Sequence, residues 1–237
     1  MTRINELIDV SSHPLYVQRQ VKTKLYIVVT SDRGLAGAYN SATIKRFTAE
    51  LKQDQKDGVV SQAITVGKQG ATFASRIETL EIIGAYTDFP DNPSANDLQP
   101  IITTATQRFT DLEVDSVQVL YTDFKSSIVQ EVTLQTLLPA VFVPNDFDRE
   151  DLSQAVFEPS PQEVLETITP RLIEVQLLQA LLESVASEHS MRMMAMKSAS
   201  DNASDLIDDL TLAFNSARQA AITQELAEIV GGAEAIA

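Results

Sequence analysis

The segment TSDRGLAGAYN, residues 30–40, sets two glycines, an aspartate and an arginine directly after the apolar run KLYIVV. A glycine-bearing turn between a strand and a helix is where phosphate groups are held, because backbone N–H groups and a helix N-terminus converge there. Gly34 and Gly37 form only G-x-x-G, which is neither G-x-G-x-x-G nor G-x-x-x-x-G-K-[ST]. No lysine or hydroxyl follows Gly37 where a phosphate loop needs one, and Asp32 would repel a phosphate. The residues favour a strand-to-helix turn in which Gly34 and Gly37 take positive φ.

Other residues have types that could do chemistry. Asp205, Asp208 and Asp209 lie close on a helix, yet with no histidine near them they read as a solvated face. His13 and His189 are far apart and suggest no metal site. The segment MRMMAMK holds four of the five methionines, a side chain that suits both core filling and adaptable contact surfaces. Near the C-terminus, Arg218 and Gln219 precede a second polar group, Thr223, Gln224 and Glu225, one turn on. This band fits directional hydrogen bonding to another protein, and composition alone leaves a merely soluble helix end equally open.

The composition narrows the choices. Eighteen basic against 33 acidic side chains give a net charge of −15, which argues against a nucleic-acid partner. With no cysteine, thiol catalysis, cysteine-bound metal and disulfide regulation are excluded. No run of 18 apolar residues exists, so no segment reads as a membrane span. The first twenty residues do not read as a secretory signal. The pattern is that of a soluble protein, with 44% apolar residues to build a core.

The elements that position these residues fall into two regions. KLYIVVT, GVVSQAITVG, SVQVLYTDF and SIVQEVTLQTLLP read as strands. SATIKRFTAELKQD reads as a helix with Ile44, Phe47 and Leu51 on one face. NDLQPIITTATQRFTDLE reads as another, with Ile101, Ala105, Phe109 and Leu112 in register, and KQGATFASRI as a short one. Interleaved strands and helices predict an α/β layer domain. The last two strands are joined by a few residues around Lys125–Ser127, a link that permits only antiparallel pairing, so the sheet is mixed.

After an acidic, proline-bearing stretch, Ser160, Pro161 and Glu163 make a helix start. Residues 171–230 contain neither glycine nor proline. As one helix they would span about 90 Å, improbable inside a compact domain and suggestive of a coiled coil. Pro170 is expected to kink the start, and Gly231–Gly232 to end it. Met196, Ala199, Ala203, Leu206, Leu210, Ala213, Ala217 and Ala220 recur at spacings of three and four, a heptad-type seam that needs a partner.

At this point ITQELAEIVGGAEA resembles the C-terminal signature of the gamma subunit of F-type ATP synthases. ASEHSMRMMAMKSASDNASDLIDDLTLAFNSARQAAITQE is similar to that family throughout, and TSDRGLAGAYN resembles its SDRGLCG loop, with Ala36 where many members carry cysteine. The resemblance implies a mixed-sheet α/β foot followed by a very long C-terminal coiled-coil helix. It divides the chain into 1–20, a remnant of an N-terminal helix with a linker; 21–143, the foot; 144–160, an acidic linker; and 161–237, the shaft helix.

The implied role is the central-stalk rotor, which couples rotation of the membrane c-ring to ATP synthesis in an alpha/beta hexamer. The implied partners are the alpha, beta and epsilon subunits and the c-ring, on the cytoplasmic side of a bacterial plasma membrane. By similarity, Arg218, Gln219 and Thr223 meet a beta-subunit loop, and Gln224 and Glu225 share the signature. No residue is expected to be catalytic, and no cofactor or metal is expected. The family begins with sixty or more residues of helix where this chain has about twenty, of which TRINELIDV resembles the tail; a truncated reading frame is the expectation. The rival reading is an α/β nucleotide-binding enzyme with a helical oligomerisation tail, and a third is a generic coiled-coil scaffold.

Overall fold

The structure is a computed structural model that describes residues 13–140 and 160–234. TRINELIDV and nearly all of the acidic stretch lie outside the described residues. A 3-10 turn, Pro14–Tyr16, leads into β1 (Thr23–Val29), α1 (Tyr39–Asp57), β2 (Val60–Val66) and α2 (Lys68–Ala74). β3 (Glu81–Tyr86), α3 (Ala95–Thr110), β4 (Ser116–Phe124), β5 (Gln130–Leu138) and α4 (Pro161–Glu234) follow.

The strands form one sheet in the order β3-β2-β1-β4-β5. β1 runs parallel to both β2 and β4, and β2 runs parallel to β3. β4 and β5 are antiparallel, as their short connection requires. The sheet is therefore mixed. Residues alternate between its two faces. Leu25, Ile27 and Val29 of β1 join Leu98, Ile101, Ala105 and Phe109 of α3 and Ile173, Leu177, Ala180 and Leu181 of α4. Tyr26 and Val28 turn the other way, to Phe47 of α1 and Ala74 of α2. Burial on both faces explains why β1 is continuously apolar.

Several local expectations are corrected. β3 was not anticipated: its apolar run EIIGAY is broken by Gly84. β5 starts at Gln130, not Ser127, because Ser126 Oγ accepts from the Ile128 and Val129 N–H groups and holds residues 126–129 in a turn. Leu112 is not on the α3 face. That helix ends at Thr110, and Leu112 takes φ 63° and stands exposed.

α4 is one helix of 74 residues. Ser160 caps it, its hydroxyl accepting from the Glu163 N–H at 3.3 Å. Pro170 sits inside it, near the N-terminus, and leaves the carbonyl four residues earlier without its helical donor. Gly231 and Gly232 do not end it; it runs on to Glu234, with open space where either glycine would carry a Cβ. The chain forms two compact units that divide after Arg192. The first thirty or so residues of α4 therefore pack with the sheet, and the boundary expected at residue 160 falls inside the first unit.

Candidate functional site

Asp32, in the loop after β1, is the centre of the turn. Its two carboxylate oxygens accept from the Lys68 N–H at 2.9 Å and the Phe89 N–H at 3.2 Å. Lys68 opens α2, so the carboxylate takes a helix N-terminal amide that a phosphate would need. Asp32 does more than repel an anion; it is the anion. Ser31 and Asn40 close the loop on itself, Asn40 Oδ1 accepting from the Ser31 N–H at 3.0 Å and Nδ2 donating to Ser31 Oγ at 2.7 Å.

The glycines have unequal roles. Gly37 takes φ 56°, whereas the second left-handed residue of the turn is Leu35 at 63°, not Gly34. Leu35 is exposed, and a Cβ on Gly34 would meet nothing within 4 Å. The glycines the loop requires are elsewhere. A Cβ on Gly67, at φ 94°, would stand 2.1 Å from the Thr30 carbonyl oxygen, and one on Gly70 would stand 2.8 Å from Thr30 Oγ1. Thr30 Oγ1 accepts from the Gly70 N–H at 2.8 Å. The GK and GA pairs around residues 67–71 were a visible signal that sequence reasoning passed over.

The crevice of such a sheet lies at the carboxyl ends of β1 and β4, where the chain order reverses, and ligands of open α/β sheets bind there. Here α4 fills it. Pairing of β1 with β4 ends at Val28–Leu120. Beyond that point the Thr122 N–H donates to Ser184 Oγ at 3.4 Å, and Ser187 Oγ donates to the Thr122 carbonyl at 3.1 Å. Ser184 Oγ also shares a hydrogen bond of 2.6 Å with the Tyr39 hydroxyl. Burial pushes the Tyr39 phenol well above its ordinary range, so it remains protonated. Ser184 and Ser187 are fully buried. Serines at positions 184, 187 and 190 are spaced to share a helix face, a pattern the sequence displays but which small polar residues rarely announce.

A cleft of about 350 Å³ opens beside the loop. Two pairs form along it: Arg192 pairs with Glu188, and His189 Nε2 lies 3.5 Å from an Asp91 carboxylate oxygen. Among the described residues no three His, Cys, Asp or Glu side chains are grouped to hold a metal.

In the second unit, Arg218, Gln219, Thr223, Gln224 and Glu225 all lie on exposed helix. Thr223 donates to the Gln219 carbonyl of its own helix, and Gln224 donates to Glu228 at 3.0 Å. Nothing among the described residues pairs with Arg218 or Glu225. Asp205, Asp208 and Asp209 are exposed as well, and so are all eight seam positions from Met196 to Ala220.

The family model described as ATP synthase matches residues 1–236. The chain is 42% identical over 225 residues to the ATP synthase gamma chain of Stenotrophomonas maltophilia, covering 94% of this chain and 78% of that one. It is 37% identical to the ATP synthase gamma chain of Moorella thermoacetica, covering 99% and 80%. The chain belongs to the ATP synthase gamma-chain family.

Two solved structures share this gamma-chain fold. A chain of the Euglena gracilis mitochondrial ATP synthase, in a structure of OSCP, F1 and c-ring, matches with TM-score 0.65 and 18% identity, covering 98% of this chain and 82% of that one. A chain of the Tetrahymena thermophila central stalk and c-ring structure matches with TM-score 0.60 and 23% identity, covering 83% and 86%. The gamma-chain fold thus comprises the mixed five-stranded sheet and the long C-terminal helix together.

Proposed function

We propose that this gamma chain is the central-stalk rotor of an F-type ATP synthase, carrying torque between a membrane ring and the nucleotide sites of other subunits. The observation that carries this reading is α4. From residue 171 to residue 230 it holds no glycine or proline, the usual sites of a sharp kink. Its early part is buried against a sheet, whereas residues 196–233 are almost wholly exposed and still carry large apolar side chains. An exposed helix of that composition is built to be covered by partners.

In this reading the α/β unit is the foot, which meets the epsilon subunit and the c-ring. The seam from Met196 to Ala220 is covered by a second helix, and the alpha and beta subunits surround it. Arg218, Gln219, Thr223, Gln224 and Glu225 make directional contacts with a beta-subunit loop; the free guanidinium of Arg218 suits a carboxylate or a carbonyl there. No described helix is long and apolar enough to cross a membrane; in this reading the chain is attached through the complex, on the cytoplasmic side of a bacterial membrane.

The test is assembly. The chain, co-expressed with alpha, beta and epsilon subunits, should co-purify with them in a complex that hydrolyses ATP and rotates. A chain that never joins them sinks the rotor. Calorimetry of the isolated chain with ATP addresses the enzyme reading: no heat of binding is expected, because Asp32 and α4 occupy the places a nucleotide would take.

A further inference from the structure

We infer that Ser184 and Ser187, acting with Tyr39 and Thr122, are positioning residues that form the joint through which torque passes between the sheet and the long helix. The inference rests on the rotor reading and adds the place where the two parts grip.

Two kinds of contact hold the early part of α4. Ile173, Leu177, Ala180 and Leu181 lay it on the sheet by apolar burial. Burial follows area and has no direction, so a helix in an apolar groove can roll or slide while keeping much of it. Hydrogen bonds weaken steeply when misaligned, so they resist turning of the helix about its own axis. Torque is a turning force. It must be met by contacts of the second kind.

Apart from a bond of 2.9 Å between the Thr169 and Tyr16 hydroxyls near the start of the helix, those contacts to the sheet and its flanking elements fall in one short run. Ser184 meets Tyr39 at the first turn of α1 and Thr122 on β4. Ser187 takes the Thr122 carbonyl. Ser190 donates to the Ser127 carbonyl, in the turn between β4 and β5, at 2.9 Å. One helix is thereby bonded to three separate elements. Two of the bonds replace the strand partner that β4 loses when β1 diverges, so the helix is stitched into the ladder of the sheet itself. Full burial of Ser184 and Ser187 keeps water from exchanging with these bonds. A further hydroxyl, Thr43 Oγ1, lies 3.4 Å from Thr122 Oγ1 and ties the same residue to α1 from its side-chain end.

The experiment uses the assembled complex in sealed vesicles, with ATP hydrolysis and ATP-driven proton pumping measured on the same sample. Ser184→Ala with Ser187→Ala removes the directional bonds and keeps the packing. Hydrolysis should hold, and protons pumped per ATP should fall by at least roughly fivefold, the factor that a single one of the three lost hydrogen bonds would produce in an equilibrium. Ser190→Ala, at the edge of the run, is the milder variant and should lower the ratio less. Ala186→Gly, at an exposed position between the two serines, weakens the same helix without touching the sheet and should leave the ratio unchanged.

A double variant that pumps like the parent overturns the joint. So does an Ala186→Gly complex that uncouples as far as the serine variants, since helix stability alone would then explain the loss. A parent chain that supports no pumping overturns the rotor reading, and the joint with it.

Discussion

α4 holds two stretches of similar side chains in opposite circumstances. Ile173, Leu177 and Leu181 are at most 3% exposed, whereas Leu206, Leu210 and Phe214 are at least 59% exposed. Hydropathy does not separate them. What separates them is the sheet laid against the first stretch, where the neighbours include Val119 and Tyr121. The second stretch remains helical through continuous helix-forming residues and its own i, i+4 bonds, such as Gln224 to Glu228. One stretch is finished by its own chain, and the other is left for something else to finish.

The strongest way to pull the two apart is alkali. All five tyrosines precede residue 122. Tyr26 and Tyr39 are pushed well above the ordinary phenol range, chiefly by burial. Tyr121 is pushed up to about 12 by burial and then by the charges of Glu183 and Asp123. Below pH 10 folded and unfolded chains both keep these protons, so stability does not depend on them. Above pH 10 the unfolded chain releases protons that the folded one retains, and stability falls by about 1.4 kcal/mol per pH unit for each such tyrosine. Near-UV circular dichroism should show the sheet unit unfolding between pH 10 and 12, with a shallower fall in Tyr39→Phe. An unchanged slope in that variant would mean the phenol is not held as described.

Matched truncations come next. Leu177→Ala, in the core, should destabilise the chain by about 3 kcal/mol, the range for emptying a buried leucine site. Leu210→Ala should change it by less than about 0.5 kcal/mol in the isolated chain. Urea denaturation measures both. A large loss at Leu210 would show that the exposed stretch is covered in solution after all.

The same contrast explains what could be read in the sequence. Elements of the foot were legible because α1 and α3 repeat apolar residues at the helical period and β1 carries an unbroken apolar run of strand length. The mixed sheet followed from the short β4–β5 link. β3 was missed because Gly84 interrupts its run, and the C-terminal end of α4 was misjudged because glycine in an exposed helix weakens it without stopping it. The tie from Asp32 to Lys68 and Phe89 spans 36 and 57 positions of chain, and the contacts of Ser184 and Ser187 span 62 to 145. No local period announces such contacts. Arg218 and its neighbours stood out by density of polar groups alone, and their meaning lies on a surface another chain must supply.

Glycines offer a smaller lever with opposite signs. Gly67→Ala forces a Cβ against the Thr30 carbonyl at a left-handed φ and should destabilise the sheet unit by about 2 kcal/mol. Gly231→Ala puts a methyl into open space within a helix and should favour that helix by up to about 1 kcal/mol. Thermal unfolding reads the first, and helical circular dichroism at moderate temperature reads the second. A Gly231→Ala chain with less helix would mean the glycine serves a contact.

Two arginines give the finest division. Arg19 donates to the Phe109 carbonyl at 2.5 Å and the Val114 carbonyl at 2.8 Å, pairs with Asp115 at 3.2 Å and lies over the Phe109 ring. Its replacement by alanine takes the donor from the Val114 carbonyl and the ion pair from Asp115, and should cost about 3 kcal/mol of stability. Arg218 is exposed and touches nothing among the described residues, so Arg218→Ala should leave the unfolding curve of the isolated chain where it was. Its effect should emerge only in the assembled complex, as weaker ATP-driven proton pumping. A guanidinium without a partner in its own chain has no stability to give up, and a change in coupling at constant stability would locate its partner in another subunit. Pumping and synthesis that match the parent would remove the beta-subunit contact from the account while leaving the foot and its joint untouched.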